Sequence, residues 1–218
     1  RATKGAQLRL KTYVMRNCGE RMLNEDIFLD SENWYGGFYE LALEFPSEAK
    51  REILKALEIL WKEPDLHGAY KSLAVPMSQQ TKVPIQSLDL IPEFHYYGIY
   101  AAKVGSVPCG SFVFTPELGP RWLVFYLPMA ALAKVYPLGG FPFDTNNLQA
   151  KWRIELNKSL VKIAENILRF SLFLLCLVGP EVMGETSISE LKQNPPHKDT
   201  LALLSYKGAL VDYRALRP

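Results

Sequence analysis

Long apolar runs are missing from this sequence of 218 residues. The longest covers residues 170–178 and is broken by Ser171. A membrane-spanning helix needs about twenty residues, so no transmembrane helix and no membrane partner are expected. Charge of one sign is missing too: 25 Lys and Arg face 23 Asp and Glu, a formal net charge of +2. Nucleic acid binding draws on a broad basic field, and this balance offers none. Cysteine is scarce, with Cys18, Cys109 and Cys176 far apart and in no Cys-x-x-Cys arrangement. Secreted chains more often carry an even, closely spaced set, so the expected setting is cytoplasmic. Histidine is equally scarce. His67, His95 and His197 lie on distant segments, and no single element brings two metal ligands together. Neither metal nor cofactor is expected.

The strong catalytic and nucleotide motifs are missing as well. There is no Gly-x-x-x-x-Gly-Lys-Ser/Thr, no Gly-x-Gly-x-x-Gly after a strand, no His-Glu-x-x-His and no Gly-x-Ser-x-Gly. Residues 68–72 have the end of a phosphate loop without its leading glycine.

What is present is an ordinary globular composition, 48% hydrophobic and 22% charged. At this length a folded chain buries roughly 70% of the surface that its unfolded form exposes. A single domain over 1–218 needs no disulfide or metal. Arg1, Lys4, Arg9, Lys11 and Arg16 precede the first acid, Glu20. Leu8, Leu10, Thr12 and Val14 alternate with Arg9, Lys11 and Tyr13, which is the period of a strand. A signal peptide would place an apolar run of about seven to fifteen residues there.

Strand and helix signals follow one another. Over 38–45, Tyr39, Leu41, Leu43 and Phe45 point one way and Glu40, Ala42 and Glu44 the other. Pro46 ends this strand and Ser47 can cap a helix over about 47–63, whose stripe is Ile53, Leu54, Leu57, Leu60 and Trp61. Residues 64–93 carry Pro64, Pro76, Pro84 and Pro92. They read as a long connection without continuous regular structure, a lid or mobile excursion. Runs at 94–104, 109–115 and 121–127 form a meander with turns at 105–108 and 116–120. A short helix can follow Pro128. A second amphipathic helix covers about 148–167, with Leu148, Trp152, Leu156, Leu160, Ile163 and Ile167 on one stripe. A buried strand over 170–178 and a hairpin about Lys207-Gly208 complete the chain. The expected class is α+β: a mainly antiparallel sheet with both long helices on one face.

Three sets of residues invite a chemical reading. His95 and Cys109 could form a nucleophile pair, but pairing 98 or 99 with 113 would carry His95 beyond Phe114, and Cys109 reads as packing. Glu40 and Glu44 share a strand face. Arg9 and Lys11 on a neighbouring strand could oppose them, which makes both features structural. The aromatic residues are the most informative. Trp34 and Tyr35 precede Gly36-Gly37, Tyr97 lies on the meander, and Phe141 and Phe143 flank Pro142. Rings beside glycine and proline can line a pocket or a partner surface, or plug the ends of a sheet.

Three phrases occur together: Phe38-Tyr39-Glu40-Leu41-Ala42-Leu43 leading to Leu60-Trp61-Lys62-Glu63-Pro64-Asp65-Leu66-His67-Gly68, residues 121–132, and residues 177–184. Their order resembles small bacterial α+β proteins, some of which look like immunity-type partners of toxins. The likeness covers most of 34–213 and carries no catalytic signature or site residue.

The leading expectation is a soluble binding module, not an enzyme, whose partner is another protein. It would use Trp34, Tyr35, Tyr97, Phe141 and Phe143. The rival is a small-ligand binder or enzyme with a pocket between 64–93 and the aromatic loops, its polar groups drawn from Glu40, His95 and Glu181. A homo-oligomer paired along a sheet edge is the third reading.

Overall fold

A computed structural model describes residues 26–85, 95–138 and 147–216. Its elements in chain order are α1 (Asp26–Leu29), β1 (Phe38–Phe45), α2 (Lys50–Leu60), β2 (Leu66–Tyr70), β3 (Tyr96–Ala102), β4 (Gly105–Phe114), β5 (Arg121–Pro128), α3 (Met129–Val135), α4 (Asn147–Leu168), β6 (Leu175–Pro180), β7 (Leu201–Tyr206) and β8 (Ala209–Asp212). The strands form one eight-stranded sheet in the order β2-β3-β4-β5-β1-β6-β7-β8. Every pairing is antiparallel. The class is therefore α+β.

The alternation of β1 sorts the two faces. Tyr39, Leu41, Leu43 and Phe45 join the main core, together with Ile53, Leu57 and Leu60 of α2 and Trp152, Leu156, Leu160 and Ile167 of α4. Ala42 points the other way, into a second cluster with Trp122, Val124, Leu175, Leu177, Val182 and Leu191. A third cluster, Phe28, Met77 and Ile99, lies under α1 with Trp34, Tyr70 and Tyr97 packed against it.

Several expectations need correction. Glu40 and Glu44 do not meet a basic strand, because β1 is flanked by β5 and β6. Arg9, Lys11 and Cys18 lie outside the described residues. Residues 64–93 are not all irregular: Leu66–Tyr70 is a strand, and the Val83 amide donates to Ala69 at 2.9 Å. Leu66, Ala69, Val83 and Ile85 belong to the main core, so this stretch is tied down by burial as far as residue 85. Residues 86–94 lie outside the description. The β3–β4 turn is tighter than expected. Gly98 pairs with Cys109 and Ala102 with Gly105, so 105–108 belong to β4. The apolar run at 170–178 is not one strand: Phe170 is 60% and Leu172 67% exposed, and β6 starts only at Leu175. The hairpin at Lys207-Gly208 forms with both residues at positive φ, +49° and +79°, as the favoured two-residue turn requires.

Candidate functional site

Two segments cover the second face of the sheet. One is 26–34 with the chain around Met77; the other is 181–191. Between them, side chains of β1, β3, β4 and β5 form an aromatic strip about Tyr126. Tyr126 stands beside Glu40 in the β1–β5 register and opposite Gly110 in the β4–β5 register. Its phenol crosses Gly110 so closely that a Cβ there would lie 2.3 Å from the ring. Glycine in a strand marks such an approach. The hydroxyl thereby reaches Nδ1 of His95 at 2.9 Å.

His95 immediately precedes β3, and the register extended from Tyr96 and Ser111 puts it opposite Phe112. The two rings stack with centroids 4.8 Å apart, and Tyr97 also stacks with His95, at 6.0 Å. Phe38 meets Tyr126 edge to face at 4.8 Å, and Trp34 meets Tyr97 at 5.5 Å. Tyr126 is buried, whereas Trp34, Phe38, His95, Tyr97 and Phe112 are half-buried. Burial holds His95 below its ordinary value and lifts the Tyr126 phenol well above its own. Both shifts favour the uncharged forms, an imidazole and a phenol joined by one hydrogen bond.

The carboxylates serve the neighbouring cover. Glu40 Oε2 accepts the Met183 amide at 2.9 Å, and Glu44 Oε2 accepts the Ile188 amide at 2.8 Å. Two strand carboxylates four residues apart on one face thus hold a loop that has no regular backbone ladder of its own. Burial raises both groups, Glu44 to about 7. The amide bonds oppose that shift, while Glu181 beside Glu40 and Glu190 beside Glu44 add to it. Glu181 is exposed. It sits at φ +47°, and its amide donates to Phe38 at 3.0 Å. Its carboxylate lies over Gly37, 2.9 Å from where a Cβ would stand.

The structure thus brings together Tyr97, His95 and Glu40, with Trp34 at one border and Glu181 at the other. Tyr35 is 61% exposed, and its ring takes no part in the strip's contacts. Phe141 and Phe143 lie outside the described residues. In the sequence Tyr126, Phe112 and Phe38 look like strand filling, and Gly110 inside a strand is the signal that marks them. His95 and Cys109 do not meet. Cys109 points into the main core on the opposite face and its thiol is raised by burial, as is that of Cys176. Among the described residues no group of three or more His, Cys, Asp and Glu could hold a metal ion. No helix among them is long and apolar enough to cross a membrane. Comparison with protein-family models, curated proteins and solved structures returns no match for this chain.

Proposed function

We propose that this chain is a non-enzymatic binding protein whose partner, another protein, docks on the aromatic strip. In this reading the two long helices stand on the first face of the sheet, and the strip between the two covering segments of the second face is left for recognition. The observation that carries it is the strip itself. Half-buried rings of Phe38, His95, Tyr97 and Phe112 are locked to one another at 4.8–6.0 Å around Tyr126. Rigid aromatic rings lose little freedom on docking and dominate interface energetics. Groups that could serve catalysis nearby have structural employment instead. Glu40 and Glu44 hold backbone amides, and Cys109 and Cys176 are sealed in the core. Two free buried thiols also support a reducing, cytoplasmic setting. An immunity-type partner is the particular form favoured by the resemblance described above.

The test is purification of the protein with whatever it retains from its native source, then reconstitution of the complex from two pure components. A stoichiometric protein partner is expected. Turnover of a small substrate by the pure protein, lost on a single substitution in the strip, would overturn the reading.

A further inference from the structure

A second site lies on the other side of the sheet, at its β2 edge. A cavity of about 370 Å³ opens between the end of α2 and the segment through Val83 and Ile85. Its walls are fixed independently. The Trp61 indole lies across Gly68 and Gly98, where added Cβ atoms would stand 2.2 and 2.6 Å from the ring. Its Nε1–H donates to Ser111 Oγ at 2.9 Å. The facing wall is held by the bond from the Val83 amide to Ala69. Trp61, Ala69, Val83 and Ile85 make the interior apolar and, being anchored core residues, keep it preformed. Charge is confined to Glu58, Lys62 and Lys82. Glu58 and Lys62 pair with each other one helical turn apart. Lys82 is exposed and has no ion-pair partner among the described residues.

We infer that this cavity binds a small organic anion with a flat apolar body, the body against Trp61 and the anionic group at Lys82. The volume falls in the range of small-molecule sites. An apolar interior with one uncommitted cation at its mouth selects an amphipathic acid over a neutral molecule of the same shape. The site lies on the opposite face from the aromatic strip, so either can fail without the other.

The experiment is a titration of the whole chain with 2-naphthoate and with its neutral counterpart 2-naphthylmethanol, followed by amide and indole NMR. Saturable shifts are expected at the Trp61 indole and the Val83 amide, with the acid about fivefold tighter than the alcohol, the scale of one partly screened ion pair. Lys82→Gln, a change at an exposed position, should abolish that preference while leaving alcohol binding intact. Val83→Phe, which fills the cavity, should abolish both. Equal affinity of the wild type for acid and alcohol would overturn the inference. So would no saturable shift at Trp61 up to millimolar naphthoate, or shifts confined to the region of Tyr126.

Discussion

Glu44 sets a pH dependence that can be worked out from one residue. It is 2% exposed, and burial lifts it from an ordinary 4.5 to about 7. A carboxyl raised in the folded state binds its proton more tightly there than in the unfolded chain. Its contribution is full below about pH 4.5 and is lost as the pH rises through 7. The loss is at most about 3.5 kcal/mol, from about 1.4 kcal/mol per unit. Denaturant unfolding should therefore show stability falling between pH 5 and pH 8. Glu44→Gln should flatten that fall and match the wild type near pH 5. A wild type whose stability rises over this window would contradict the assignment. Gly110 gives a second residue-scale prediction. Alanine there places a methyl group 2.3 Å from Tyr126. Forcing the phenol aside should cost about 1–3 kcal/mol, as overpacking does, and break its bond to His95. Thermal unfolding and the His95 ring resonances report the two effects. A Tm unchanged in Gly110→Ala would show that the phenol is free to move.

At the scale of elements, the helices and the alternating strand were the most legible features. The stripe of Ile53, Leu57 and Leu60 and that of Trp152, Leu156 and Leu160 put the right side chains in the core. Helical periodicity is a local property of the chain. The run at 170–178 was misread because hydrophobicity alone does not distinguish a buried strand from a helix end followed by a turn. Ser171 hydroxyl donates to Glu52, and Leu174 amide to Glu44. These bonds turn the chain before β6 begins. The consequence is testable inside one apolar run. Leu172→Ser should change stability by no more than about 0.5 kcal/mol, as surface substitutions do. Leu177→Ser, at a position 0% exposed, should cost several kcal/mol. Equal effects in equilibrium unfolding would contradict the boundary at Leu175. β2 was illegible for a different reason. Its five residues include a histidine and a glycine, and its apolar contacts come from Trp61 and Val83, outside the strand.

For the whole molecule, strand order is the property least visible in a sequence. Among the described residues β1 is the first strand, yet it lies near the middle of the sheet, between β5 and β6. The candidate site inherits that difficulty. Phe38, Tyr97, Phe112 and Tyr126 come from four strands, with His95 just ahead of β3, and the bond from Met183 to Glu40 spans 143 residues. Single-residue signals marked Trp34, Tyr97, Glu40, His95 and Glu181, but only the register β1-β5-β4-β3 shows which of them share a face. It also shows that Tyr126 is their centre. The same topology separates the strip on one face from the Trp61 cavity on the other, so partner binding and small-anion binding should be independent.

The most direct measurement is the dissociation constant of the reconstituted complex for the wild type, for Phe38→Ala/Phe112→Ala and for Leu172→Ser, each first shown to be folded by its thermal transition. The strip accounts for recognition if the double variant binds at least about tenfold more weakly, the effect of losing one strong interface contact, while Leu172→Ser binds like the wild type. Equal affinity in the double variant and the wild type would contradict it.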